Sequence, residues 1–389
     1  MNKIFLKASE GKRIKGGHKW VFSNEIKSIE GRPVAGEIVA LYDSNNSFLG
    51  SGFYNPNSLI SFRLISKTQE NIDVFFWTQK ILKAKLLRER VYPNAKSYRV
   101  VFSESDDIPG FVLDKYEDYL CVQFVCAGAD TCKDDILKAA KNVFEPKGII
   151  IKNDNHLRKL ENLPLENQIY FGEIPKNVKI DENGIKFHVD LINGQKTGFF
   201  FDQRDNRQKF CAYVKDKKIL DCFCHTGAFG IYAKKAGAKD VVFVDSSFAA
   251  LEIAENNYAL NGFESFNGIS ADALEYMQSQ ESASEKFDII NIDPPGLIKS
   301  RKDFNAGFRH YVKVNAAAMN LLKSHSILTT SSCSHHLSFK DFKEVINQSC
   351  AKAKKQAVIL EYGFQAKDHP ILVSMPETEY LKFAVVEIF

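Results

Sequence analysis

Lys218-Ile-Leu-Asp-Cys-Phe-Cys-His-Thr-Gly-Ala-Phe-Gly230 reads as a short apolar strand, a polar turn and the opening of a helix. Glycine in such a turn lets the backbone come close to a ligand, as in nucleotide-binding βα turns. The same rhythm continues outward from it. Residues 240–245, 287–292 and 326–330 are further apolar, β-rich runs, and residues 248–257 and 304–322 read as helices between them. Residues 380–389 supply a terminal strand. Strands alternating with helices from about residue 184 predict an α/β fold with a mostly parallel sheet, whose ligands bind at the carboxyl ends of the strands.

The chain has 389 residues, too many for one average domain. Residues 1–70 alternate short apolar runs (37–42, 48–54, 59–65) with Gly, Asn and Pro turns, which predicts a small β-barrel. Residues 1–27 hold seven Lys or Arg against two acidic residues. Within them, Lys15, His18, Lys19 and Trp20 place basic and aromatic groups on a Gly-rich loop, a combination suited to RNA phosphates and stacked bases. The plainer reading has the loop solvated and Trp20 anchored in the barrel. Residues 71–95 read as an amphipathic helix stopped by Pro93. Strands at 119–125 and 148–152 with a helix at 134–141 make residues 71–180 a small α+β module. Residues 181–389 form the third domain.

The net charge of +4 permits a polyanionic partner without requiring one. Eight cysteines, several inside apolar runs, predict reduced thiols and a cytoplasmic setting. The charged N-terminus lacks a signal-peptide core, and no apolar run is long enough for a membrane span.

Chemistry concentrates at the strand ends. The 326–330 strand runs into Ser331-Ser-Cys-Ser-His-His336, which puts Cys333 at a carboxyl end. The 287–292 strand runs into Asp293-Pro-Pro-Gly296, another polar, rigid turn. A thiol and a carboxylate on neighbouring strand ends suit a nucleophile and a group that holds a substrate. In the 221–230 turn the dinucleotide pattern G-x-G-x-x-G fails, because position 225 is His. Asp221 ends its strand where a pyrophosphate would want no negative charge; it suits a cationic amino-acid moiety better. Asp245 can hold ribose hydroxyls, and Asp272 stands where a third strand end would meet an adenine amino group. Three acids and one Gly-rich turn fit S-adenosylmethionine and fit NAD poorly. Taken singly, Asp221 and Asp272 also read as helix caps. Cys222, Cys224 and His225 do not read as a metal site, since cysteines one residue apart on a strand point to opposite faces.

Four blocks carry a resemblance: residues 193–207 (Asn193-Gly-Gln-Lys-Thr-Gly-Phe-Phe-Phe-Asp-Gln-Arg-Asp-Asn-Arg207), the 221–230 turn, residues 293–302 and Ser331-Ser-Cys-Ser-His-His336. Together they resemble the class I S-adenosylmethionine-dependent 23S ribosomal RNA cytosine-C5 methyltransferases. Residues 104–114 look like that family's central domain, and residues 16–22 like the opening of its N-terminal PUA domain, an RNA-binding barrel. The resemblance implies a Rossmann-like methyltransferase domain behind a PUA-like barrel and a central α+β domain. It also implies that Gln203 and Arg207 help to close the cofactor pocket, that Phe223, Gly227 and Ser246 join Asp221, Asp245, Asp272 and Asp293 around S-adenosylmethionine, and that a homodimer is allowed. Another RNA cytosine-C5 branch carries a second cysteine after the two prolines; here that place is Gly296.

Carbon 5 of cytosine is a weak nucleophile, so a thiolate must first add to C6. Cys333 is expected to do this, activated by His335, His336 and the N-terminus of a helix beginning near Ser338. Asp293 is expected at the N3 edge of a flipped-out base, and Lys299, Arg301 and Lys302 at phosphates. Competing classes are an RNA guanine methyltransferase, which needs no nucleophile, a non-catalytic RNA-binding assembly factor, and a nicotinamide oxidoreductase.

Overall fold

The computed structural model describes residues 1–282 and 286–389. The chain packs as two units where the sequence suggested three. The first comprises Met1–Asp181 with Val189–Phe201 and Lys367–Thr378; the second comprises Glu182–His188, Asp202–Ala366 and Glu379–Phe389. The block at 193–207 is therefore divided between the units, and only its 202–207 part belongs to the second.

In the first unit a six-stranded sheet runs from Lys3–Leu6 to Ile60–Ser66 around a core of Ile4, Leu6, Val21, Val39, Leu41, Phe62 and Leu64. Beside it lies a five-stranded sheet, Ser97–Phe102 through Glu166–Gly172, covered by helices Val74–Val91 and Lys133–Phe144. Phe53 and Ile65 of the barrel pack into the core of this second sheet with Trp77, Ile81 and Phe111. That shared apolar contact is why barrel and central module form one unit. The helix at 74–91 starts at Asp73, whose carboxylate accepts from Phe76 N at 3.0 Å, and ends before Pro93 as expected.

The second unit holds a seven-stranded sheet. Its strands are β1 (Lys218–Cys222), β2 (Asp240–Asp245), β3 (Asn267–Ser270), β4 (Phe287–Ile292), β5 (Leu322–Ser332), β6 (Ala357–Gly363) and β7 (Lys382–Ile388). The spatial order is β3-β2-β1-β4-β5-β7-β6. Strands β1 to β5 are parallel, and β7 pairs antiparallel with both β5 and β6. The helices are α1 (Arg204–Cys211), α2 (Ala228–Lys235), α3 (Phe248–Leu260), α4 (Ala273–Ser279), α5 (Phe304–Leu321) and α6 (Phe339–Ala353). Central strands covered on both faces need near-continuous apolar runs, which β1, β2 and β4 supply. The strand order reverses between β1 and β4, so the crevice for a ligand lies at their carboxyl ends. Among the described residues no helix is long and apolar enough to cross a membrane.

Candidate active site

The strand ends are set by a buried polar ladder. Asp221, Asn291 and Thr329 lie level across β1, β4 and β5. Asn291 Nδ2 donates to Asp221 Oδ1 at 2.8 Å, and Thr329 Oγ1 donates to Asn291 Oδ1 at 2.8 Å. All three are at most 1% exposed. Satisfied polar groups in such a dry place fix one register, since a slip would leave each unpaired. Beyond the ladder the strands end in the two turns that carry Asp293 and Cys333.

Gln203 ties these turns together. Its Nε2 donates to Asp293 Oδ1 at 2.9 Å and to Ser331 Oγ at 3.2 Å, and its Oε1 accepts from Asn206 at 2.7 Å. A second clasp is the phenol of Tyr311, on α5. It accepts from Ser332 Oγ at 2.9 Å and lies 3.0 Å from Ser334 Oγ, so it holds both neighbours of Cys333. Ser334 Oγ also accepts from Ile298 N at 3.1 Å, joining the Cys333 turn to the segment after the prolines. A Cβ at Gly296 would stand 3.6 Å from Cys333 Sγ. The thiol therefore lies directly against the Pro-Pro-Gly turn that begins at Asp293. Cys333 is half-buried.

The turn after β1 is tightly determined. Asp221 Oδ2 accepts from Gly230 N at 2.8 Å, and Asp245 accepts from His225 N at 2.8 Å and Ser247 N at 2.9 Å. Phe223, His225 and Gly227 all have positive φ (59°, 50° and 80°). Such strain persists where the surroundings impose it, and it clusters at ligand sites. Gly227 also packs close to α3, since a Cβ there would lie 3.0 Å from Ala254 Cβ.

Burial pushes the Asp221 carboxyl up to about 7, and the charges of Asp293 and Asp245 push the same way. A crevice in which carboxylates repel one another favours a cationic ligand and disfavours a pyrophosphate. The donor set thus fits a sulfonium- and ammonium-bearing group such as S-adenosylmethionine.

Several expected contacts are placed differently. Asp221 is a buried brace with both oxygens used by the protein, so it acts on a ligand through its charge. Asp272 caps α4, accepting from Glu275 N at 3.0 Å, the alternative its sequence allowed. Arg207 lies in a buried ion cluster, 2.7 Å from Glu182, with its guanidinium over the Tyr232 ring. Phe223 is half-buried and Ser246 exposed beside Asp245.

In the first unit the expected Gly-rich RNA loop is a helical turn, Lys12–Lys15, followed by a strand that starts at Trp20. Lys15 pairs with Asp43 at 2.7 Å, and Lys19 with Asp107. His18 is buried against Glu377 at 3.4 Å. Trp20 Nε1 donates to Glu104 at 2.8 Å beneath Arg63, so the indole is anchored, as the plainer reading had it. In the second unit Lys299, Arg301 and Lys302 are exposed.

Residues 4–67 match the PUA-like domain family, and residues 201–300 match the family described as conserved hypothetical protein 95. The chain is 36% identical over 386 residues to "Ribosomal RNA large subunit methyltransferase I" of Vibrio vulnificus, with 97% of each chain covered. The chain belongs to the ribosomal RNA large subunit methyltransferase I family. Among solved structures, a Streptococcus mutans chain classed as a SAM-dependent methyltransferase matches over 100% of both chains, with TM-score 0.85 and 22% identity. A chain classed as a methyltransferase and solved with SAH matches over 100% of both, with TM-score 0.87 and 22% identity. These likenesses establish the class I methyltransferase fold for this family member.

Sequence reasoning overlooked Asn291, Tyr311, Ser334 and Lys382 in the site of this family member. Asn291 had a signal, an amide inside the apolar run Phe-Asp-Ile-Ile-Asn-Ile. Tyr311 and Lys382 had none, since their partners in the Cys333 turn lie 21 or more residues away in the chain.

Proposed function

We propose that this chain uses S-adenosylmethionine to methylate carbon 5 of a cytosine in 23S ribosomal RNA, with Cys333 as nucleophile. S-adenosylmethionine-dependent methyl transfer to large-subunit ribosomal RNA is the activity of the family. The cytosine-C5 target is the finer step. It is supported by one observation above all: the Cys333 thiol lies against the turn that carries Asp293, with both turns clasped by Gln203.

Asp293, Asp245 and the strained 222–227 turn would hold the cofactor. When bound, it supplies an electrophilic methyl group. The thiolate of Cys333 adds to C6, forming an S–C6 bond, as the C5–C6 π pair shifts to C4–C5 and the C4–N3 π pair to N3, where Asp293 hydrogen-bonds or supplies a proton. Carbon 5, now enamine-like, can take the methyl group. Loss of the C5 proton to a base then restores the C5–C6 double bond and expels the thiolate. Direct attack by C5 without the adduct would be slow, which is the reason for a nucleophile at all. The target base must leave its stack to enter between two strand ends.

The experiment uses the full chain, labelled S-adenosylmethionine and unmodified 23S ribosomal RNA, followed by nucleoside analysis of parent and Cys333→Ala. Labelled 5-methylcytidine from the parent and none from the variant is expected. Methylguanosine from both proteins would remove Cys333 from the chemistry and leave a guanine methyltransferase.

A further inference from the structure

Lys382 opens β7 and lies opposite Ser332 in the β5–β7 ladder. It is only 3% exposed, yet both hydrogen-bond acceptors of its ammonium are neutral: Ser334 O at 2.7 Å and Tyr380 O at 2.6 Å. A buried lysine is ordinarily paired with a carboxylate, because an uncompensated buried charge costs several kcal/mol. An ammonium has three donors, and two are accounted for by these carbonyls. One carbonyl belongs to the residue that follows Cys333.

We propose that Lys382 is the fixed cation that keeps Cys333 in its thiolate form, and that its bond to the Ser334 carbonyl sets the turn presenting the thiol. It is a positioning residue, and the proposal rests on Cys333 being the nucleophile. The groups first expected to activate the thiol are less suited to the task. His335 and His336 are exposed, and His335 stacks on Tyr380 at 5.3 Å. The N-terminus of α6 is capped by Ser338 and its first turn carries the carboxylate of Asp341, which offsets the helix dipole.

Electrostatics agree with the geometry. Burial draws the Lys382 ammonium down to about 8, and the Cys333 thiolate and Glu379 pull it back up. By reciprocity, an ammonium that a thiolate stabilises favours the ionised form of that thiol. The other titratable groups around the turn are Asp293, joined to Ser331 through Gln203, Tyr311, whose phenol is raised by burial and by Cys333 itself, and the rings of His335 and His336. None of these supplies a second buried cation.

The test titrates Cys333 in the full chain without RNA. Iodoacetamide modification is followed against pH and resolved at the Cys333 peptide by mass spectrometry. In the parent the midpoint should fall below the ordinary thiol value of about 8.5. Lys382→Met should raise it by about one unit, so that modification near pH 7 slows about tenfold, whereas Lys382→Arg should keep it low. A folded Lys382→Met protein with an unshifted midpoint would overturn the proposal. So would a parent midpoint at or above about 8.5, which needs no variant. A Cys333→Ala protein that still methylates would sink the nucleophile reading alone, because the thiol titration is measured without catalysis.

Discussion

Tyr311→Phe deletes one oxygen at the point where the Cys333 turn is clasped from both sides. The phenol bonds to Ser332 Oγ at 2.9 Å and lies 3.0 Å from Ser334 Oγ, with Leu297 N more distant at 3.4 Å. Each buried neutral bond contributes about 1 kcal/mol net, so two amount to ~2 kcal/mol. Neither serine is orphaned, because Ser334 Oγ keeps Ile298 N and Ser332 Oγ keeps Ser334 N, and the long Leu297 N contact is the weakest of the three lost, which keeps the loss near that figure. The catalytic effect should be larger. With one clasp gone, Cys333 is free to shift against the Gly296 turn, and a misplacement of about 1 Å costs about 100-fold in rate. Urea denaturation should therefore show the second unit destabilised by ~2 kcal/mol. Single-turnover methyl transfer at saturating RNA should fall about 10- to 100-fold with little change in KM. A rate within about twofold of the parent, alongside the expected loss of stability, would refute the idea that Tyr311 positions the nucleophile.

Two further outcomes follow from the β1 turn. Gly227→Ala places a side chain at φ 80° with its Cβ 3.0 Å from Ala254 Cβ. It should cost about 1–3 kcal/mol in urea denaturation and weaken S-adenosylmethionine binding by calorimetry; an unchanged midpoint would mean that the turn relaxes freely. Asp221 is raised by burial from its ordinary range to about 7. With the folded value above the unfolded one, its contribution to stability is full at low pH and is lost as pH rises toward about 7. Affinity for the cationic cofactor should rise over the same window, with proton release on binding at about pH 6, measured by calorimetry in buffers of different ionisation heat. Binding with no proton release there would show that Asp221 does not face the cation.

Periodicity and turn chemistry in the sequence were sufficient for the parallel sheet, its helices and the two strand ends with Asp293 and Cys333. Those signals are local: an apolar run bounded by Asp-Pro-Pro-Gly or Ser-Cys-Ser-His marks a strand end wherever the strand lies. The barrel was legible in the same way, but its union with the central module was not, since it depends on Phe53 and Ile65 packing into a core formed mainly by later residues. The roles of Asp272 and Trp20 were open in the sequence, because a cap and a ligand contact, or an anchor and a stacking platform, use the same residue. Hydrogen bonds to Glu275 N and Glu104 show which partners they take in the fold. The surroundings of Cys333 are wholly tertiary. Tyr311 reaches the serines around it from a helix, Gln203 from the segment before β1, and Lys382 from a strand added antiparallel at the far side of β5. Local sequence determined which atoms could react, whereas long-range packing determined which buried charge and which hydroxyls stand beside them.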